Sequence, residues 1–363
     1  MQLLIVFDPA TTQMSTSYMI EIDGSQKSGS GTILRIAVAL AATQGEPLHI
    51  YNIRQNRPQP GLKPQHLEAV LTAARLCDAE LQGAILNSRK LWFKPKTIRG
   101  GKIEAEIGTA GSIPMLLMAV LPICAFAETT VQLHVSKGGT DVQHSPTINY
   151  IRFVLLPTLK YMGLNATLAV QKYGYYPKGN GEATMTVEPC KFLKPLCSET
   201  FGALKTIKGV SVCTFLADRK VAERQAKAAN DYLKGKGYAA DIQVTDDRSN
   251  PLQKGSSIVL WAETDSGVIL GADAIGELGK PSEAVGAEAA EKLCAELSAK
   301  PTVDIRLADM LIPYMALTPG KSAFLTRTLT EHMESNIWLT RKILNRKFSI
   351  QKTNGLNRIE TEG

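Results

Sequence analysis

Tyr18-Met-Ile-Glu-Ile-Asp-Gly-Ser-Gln-Lys-Ser-Gly-Ser-Gly-Thr-Ile-Leu-Arg-Ile-Ala-Val-Ala-Leu-Ala-Ala42 decides the fold. Met19–Ile22 reads as a strand, Asp23–Thr32 as a glycine-rich turn, and Ile33–Ala42 as an apolar helix. Such a turn can present backbone N–H groups to a phosphate. It can equally be a tight turn that packs a helix on a sheet. No Gly-Lys-Ser/Thr closes it and it is not GxGxxG, so it is neither a Walker loop nor a dinucleotide fingerprint.

The same order of elements continues and then restarts. Pro47–Ile53 is a strand, Gln65–Leu76 a helix, and two short strands follow near Ala79–Gln82 and Leu91–Lys94. Strand Lys102–Gly108, the small-residue turn Thr109–Ser112 and helix Pro114–Ala125 begin a second round, completed by strand Thr130–Val135, helix Pro146–Met162 and strands Ala166–Lys172 and Glu182–Val187. The offset of about 80 residues suggests a duplicated structural unit.

Beyond Pro189 the texture changes. Phe201–Lys208 and Val210–Phe215 read as strands, Asp218–Lys236 as a charged amphipathic helix, and Ala240–Val244 and Ser257–Ala262 as strands. This compact stretch reads as an insertion, followed by a third unit: helix Pro281–Ala299, strand Thr302–Ile305, a helix from Leu307 that ends at Pro313, strand Ala323–Thr326, a helix, and strand Lys347–Gln351. The expected class is α/β (α+β). Residues 19–189 and 277–351 form a large domain, 190–276 a smaller inserted one, 1–18 an N-terminal extension with Met19 as the original start, and 352–363 a frayed polar tail.

In the helix of the third unit, Thr328 and Glu331 have capping-box spacing, which predicts the start at Thr328. His332 then falls in the first turn and Asn336 one turn on, on the same face. The positive end of a helix disfavours imidazolium and keeps a lone pair free. That suits a nucleophile or general base; a surface histidine would sit there too. Arg54 and Arg57 stand at a strand end before the proline-stiffened Pro58–Pro64, as a phosphate clamp or as solvated loop charges.

The 41 basic residues exceed the 34 acidic ones by 7, a tilt toward an anionic partner such as nucleotide or nucleic acid. The six cysteines form no CxxC pair and several sit in apolar runs, which predicts buried, reduced thiols of a cytoplasmic protein. No run reaches membrane-spanning length, and the opening residues lack a basic n-region.

Several patches together resemble the RNA 3′-terminal phosphate cyclase family. They are Ile22-Asp-Gly-Ser-Gln26 with Gly29–Arg35, Ile53–Arg57 with Pro60-Gly-Leu62 and Gln65-His66, and Gly108–Ser112. Lys137–Asp141, Tyr173–Gly181, Leu307–Leu311 and Thr330–Ile337 complete the set in family order. The resemblance implies three repeated βαβαββ-type units, each like the C-terminal domain of translation initiation factor 3, with a smaller inserted α/β domain. It implies that ATP and a divalent metal (Mg²⁺ or Mn²⁺) serve to convert an RNA 3′-phosphate end into a 2′,3′-cyclic phosphate, through a histidine–AMP and an RNA-adenylate intermediate.

Carried over by position, His332 is the nucleophile, and Arg54, Arg57 and Gln65 hold the ATP phosphates with Arg35 nearby. Asp309 lies by the nucleotide and the histidine, and Arg306, Leu307, Ala308, Asp309 and Met310 form the nucleotide-contacting segment. Departures from the family pattern are Ser28 where a metal-associated Glu is common, Met118 and Met310 where Gln is frequent, and Arg306 where an aromatic or His is usual. The first bears on the metal, and Met118 and Arg306 bear on the adenine pocket. Cyclase-like proteins of ribosomal RNA processing share the fold without the chemistry, but they lack the histidine that His332 supplies. Enolpyruvyl transferases share related repeats and nothing more. The sequence leaves the oligomeric state open.

Overall fold

The computed structural model describes residues 19–362, so the extension expected over 1–18 lies outside the described residues. The first unit is β1 (Ile20–Asp23), α1 (Gly31–Gln44), β2 (Leu48–Tyr51), α2 (Pro64–Cys77), β3 (Glu80–Gln82) and β4 (Leu91–Lys94). The second is β5 (Gly101–Glu106), α3 (Ile113–Ala125), β6 (Val131–Gly138), α4 (Ile148–Tyr150), a π-turn (Ile151–Leu155), α5 (Leu156–Tyr161), β7 (Ala166–Lys172) and β8 (Gly181–Val187). After β9 (Cys197–Ser198) come β10 (Leu204–Thr214), α6 (Val221–Gly235), β11 (Ala240–Asp247), β12 (Gly255–Thr264), β13 (Ile269–Ile275) and α7 (Ser282–Ala299). The chain closes with α8 (Ile305–Ala316), β14 (Ala323–Thr326), α9 (Glu331–Leu344), β15 (Phe348–Thr353) and β16 (Leu356–Thr361).

Three of the four sheets share one topology. Their orders are β1-β2-β4-β3, β5-β6-β8-β7 and β9-β14-β16-β15. In each, the first two strands are parallel and the other pairings antiparallel. Their helices converge: α1 packs on α2, α3 and α9, and α8 packs on α9 and α3. One hydrophobic core runs from Ile20 to Ile359 through all three units.

The fourth sheet, β11-β10-β12-β13, has its own core. Val285, Ala289, Leu293 and Leu297 of α7 belong to that core. α7, read from the sequence as the first helix of the third unit, therefore packs on the fourth sheet, beside β13. Ile269–Ile275 is a strand the sequence reading missed. The strands expected on either side of Gly209 are one strand, because a Cβ at Gly209 would lie 2.6 Å from the Leu260 side chain that packs there. Gly286 marks the closest approach of α7 to α6: an added Cβ would lie 2.0 Å from Gln225 O. Gly286→Ala is expected to cost about 1–3 kcal/mol by overpacking, read as a lower urea midpoint. An unchanged midpoint would mean that the two helices slide freely.

Three further expectations are corrected in the third unit. Thr302 and Val303 bond Leu325 O but form no ladder, and Asp304 is instead the N-cap of α8, accepting from the N–H groups of Arg306 and Leu307. α8 does not stop at Pro313. Proline has no N–H to give the carbonyl four residues back, which is Asp309 O, and Asn336 Nδ2 of α9 donates to it at 2.7 Å. The polar tail is not frayed either: β16 lies inside its sheet, between β15 and β14. All six cysteines are free; Cys77, Cys124, Cys213 and Cys294 are buried, while Cys190 is half-buried and Cys197 exposed. Among the described residues no helix is long and apolar enough to cross a membrane.

Candidate active site

α9 begins one residue before His332. Its cap is Thr330, not Thr328: the Thr330 hydroxyl accepts from Met333 N–H at 3.0 Å and donates to Asp309 Oδ1 at 2.5 Å. Asp309 thus holds the start of the helix from its side chain and, through Asn336, the next turn from its backbone. The glycine-rich turn closes on the same helix, with Ser28 N–H donating to Ser335 Oγ at 3.2 Å. Ser30 then caps α1, accepting from Thr32 N–H. The N-termini of α1 and α9 are brought together, and His332 Nδ1 stands 3.4 Å from Thr32 Oγ1.

His332, Arg35, Arg54, Arg57 and Gln65 all line one cleft of about 1410 Å³. Its far wall belongs to the insert, with Arg219, Gln225, Lys254 and Ser256 among the lining residues. Arg306 and Arg327 are paired with Asp273 and Glu296. Arg35, Arg54 and Arg57 have no such carboxylate among the described residues. Arg54 holds its loop by donating to Gln59 O (2.7 Å) and Gly61 O (2.9 Å). Burial, and then the charge of Arg54, bring Arg35 down to about 10. Burial and Arg57 lower Arg54. A cluster of cations that depress one another is suited to receive an anion.

His332 is pushed below its ordinary 6.5, first by burial and then by Arg35 and Arg57, with Glu331 opposing. Gln65 accepts from Ser112 N–H at 2.7 Å, which ties the arginine loop to the Gly108–Ser112 turn. His66 was not singled out by its sequence position beside Gln65. It lines the cleft, is 4% exposed, and is driven to about 2 by burial, then Arg35, Arg54 and Lys63. It is a neutral imidazole at every working pH. A Cβ at Gly31 would lie 2.1 Å from its Nε2, so glycine at the start of α1 makes room for the ring.

The remaining sequence candidates lie elsewhere. Arg306 and Asp309 line a second cavity of about 350 Å³ with Asp273, Lys292, Glu296 and Arg327. This cavity and the cleft flank the N-terminus of α9, linked through the Asp309–Thr330 bond. Arg306 reaches Asp273 at 3.2 Å and lies over the Tyr150 ring at 5.8 Å. Burial raises Asp309 to about 6, against the Thr330 bond and Arg306. Leu307, Ala308 and Met310 are 1%, 0% and 7% exposed, on the core side of α8, so their side chains are not presented to a ligand. Met118 is half-buried against the core and does not line the cleft.

For a metal the residues do not form a cage. Among the described residues no group of three His, Cys, Asp or Glu side chains is arranged to hold one. Ser28 turns its hydroxyl to Ser30 Oγ at 3.0 Å.

The family model described as RNA 3′-terminal phosphate cyclase matches residues 26–350. A Pyrobaculum aerophilum protein named RNA 3′-terminal phosphate cyclase is 44% identical over 344 residues, covering 95% of this chain and 98% of its own. Proteins of the same name from Methanopyrus kandleri (43% identical, 90% of this chain and 93% of that one) and Pyrococcus furiosus (42%, 92% and 95%) are similar across the same extent.

Proposed function

The chain belongs to the RNA 3′-terminal phosphate cyclase family, and from that membership we propose that it is an ATP-dependent enzyme converting RNA 3′-phosphate ends to 2′,3′-cyclic phosphates, with His332 as the nucleophile. The observation that carries this reading is the convergence of His332 with three uncompensated arginines, Arg35, Arg54 and Arg57, in one cleft. A phosphate monoester resists attack because its own charge repels nucleophiles and it has no leaving group. Adenylation supplies the leaving group, and arginines neutralise charge as it develops.

Thr32 Oγ1 lies beside Nδ1. As an acceptor it favours the tautomer protonated there and leaves Nε2 with the lone pair. Nε2 attacks the α-phosphorus of ATP; a P–N bond forms, the P–O bond to pyrophosphate breaks, and pyrophosphate leaves with the electron pair. An oxygen of the RNA 3′-phosphate then displaces histidine from AMP. The neighbouring 2′-OH attacks the activated 3′-phosphorus, loses its proton and expels AMP. Holding that hydroxyl beside phosphorus supplies the proximity. In this reading the arginines of the cleft take the triphosphate, while Asp309 acts on the site from the second cavity through its bond to Thr330. A divalent ion would add to the neutralisation of phosphate charge that Arg35, Arg54 and Arg57 supply. The non-catalytic ribosomal RNA processing reading is disfavoured by His332 standing at the helix start among the arginines.

Incubation with α-labelled ATP tests the assignment. Label should enter the protein without RNA, in an acid-labile, base-stable bond. Because burial and the neighbouring arginines hold His332 below its ordinary 6.5, the free base predominates from pH 8 down to pH 7. The labelling rate should therefore change little there and reach half its maximum only below pH 6.5. A half-point above pH 7 would rule out this histidine as the titrating nucleophile.

A further inference from the structure

Tyr176 is 78% exposed on the rim of the cleft, yet its backbone is tied to the insert. Asn250 Nδ2 of the insert donates to Tyr173 O (2.7 Å) and Gly179 O (3.0 Å). Gln253 donates to Tyr176 O at 3.0 Å and accepts from Lys178 N–H at 3.2 Å. The neighbouring Tyr175 is 4% exposed and its hydroxyl meets Thr214 Oγ1 at 3.2 Å. The segment Tyr173–Gly181 is thus clamped by the insert, and the ring of Tyr176, turned outward, makes no hydrogen bond among the described residues. An aromatic ring held on the wall of a cationic cleft offers a face on which a base can stack.

The partner's chemistry is written on the same wall. Arg224 and Lys280 at the rim are neutralised by Glu283 and Glu288. Arg219 and Lys254 also line the cleft, are exposed, and have no carboxylate partner among the described residues. The cleft, at about 1410 Å³, exceeds the roughly 300–1,000 Å³ of a pocket for one small ligand. Unpaired cations beside a fixed aromatic face fit a single strand of nucleic acid, whose phosphates need the first and whose bases stack on the second.

We propose that the insert is the wall of the acceptor channel, with Tyr176 stacking on a base near the RNA 3′ end and Arg219 and Lys254 taking backbone phosphates upstream of it. This rests on the cyclase reading for the identity of the strand. It assigns Tyr176 to substrate binding and leaves ATP chemistry to His332 and the arginines.

Two measurements on the full chain separate the claims. Binding of a fluorescent, 3′-phosphorylated 12-mer RNA is read by anisotropy, and self-labelling with α-labelled ATP is read without RNA. Tyr176→Ala should weaken RNA binding by about tenfold, Tyr176→Phe should keep it, and both should self-label at the wild-type rate. The double variant Arg219→Ala/Lys254→Ala should lower the slope of log affinity against log salt by about 1.4, near 0.7 for each phosphate no longer neutralised. Wild-type RNA affinity in Tyr176→Ala with normal self-labelling overturns the stacking assignment, and an unchanged salt slope overturns the phosphate path. Absence of self-labelling in the wild type would count against the cyclase reading alone, since the anisotropy arm still reports on the channel.

Discussion

Replacing His332 by alanine is expected to abolish covalent AMP transfer, with labelling down by at least about 10⁴-fold, while the melting temperature stays where it was. The two halves of this expectation have separate causes. Two other histidines line the cleft: His66, in the first turn of α2, is 4% exposed and wedged against Gly31, and His144 stands in the loop before α4 and not at a helix start. Losing the nucleophile therefore leaves no substitute. Stability is spared because His332 is exposed, caps nothing, and its side chain hydrogen-bonds only Thr32 among the described residues. Alanine is also the better helix former. A protein that still acquires base-stable label after His332→Ala would place the nucleophile elsewhere; one that unfolds would give the histidine a structural role that its surroundings do not suggest.

Arg35→Met should reduce labelling by about 10²–10³-fold, the loss typical of one charge-stabilising donor, and should leave the protein as stable as before or more so. Arg35 is partly buried, faces Arg54 without a carboxylate, and makes only long contacts to Thr32 Oγ1 (3.4 Å) and Met115 Sδ (3.5 Å). An uncompensated cation in such a place weakens the empty protein and is offset only when an anion binds. Methionine keeps the stem and removes the charge. The paired readout is labelling rate and melting temperature with and without ATP. The stabilisation by ATP should shrink in the variant, and a large fall in stability of the nucleotide-free protein would contradict the clamp.

Much of this site was legible because the residues that hold a charge are also those that sequence periodicity cannot place in a core. Arg54, Arg57, Gln65 and His332 stand out at element ends, where loops carry function, and the structure gathers them. What was not legible depends on tertiary partners. Thr328 and Thr330 are both plausible caps, and Asp309, distant in sequence, selects Thr330. Pro313 ends a helix unless another chain segment supplies the missing donor, as Asn336 does. β13 and β16 were hidden because each buries polar side chains among its apolar ones. Asp273 is buried on Thr147 N–H and beside Arg306, and Asn357 donates to Thr326 O and Arg327 O. The side chains of Leu307, Ala308 and Met310 are buried because a helical segment marked by resemblance has one face toward the core, which resemblance alone does not tell apart.

The position of β16 inside its sheet bears on how the protein comes into being. β9 is two residues long and waits for β14 across the whole insert, and the Arg358–Glu199 pair joins residues 159 apart in sequence. Pairings of such separation form late, because the chain between them must first be ordered. The first two units and the insert can each collapse as the ribosome delivers them, but the sheet beneath α9 is incomplete until Leu356–Thr361 emerges. A nascent chain thus carries its arginines before it can hold the histidine against them, and the site is whole only once Leu356–Thr361 has emerged.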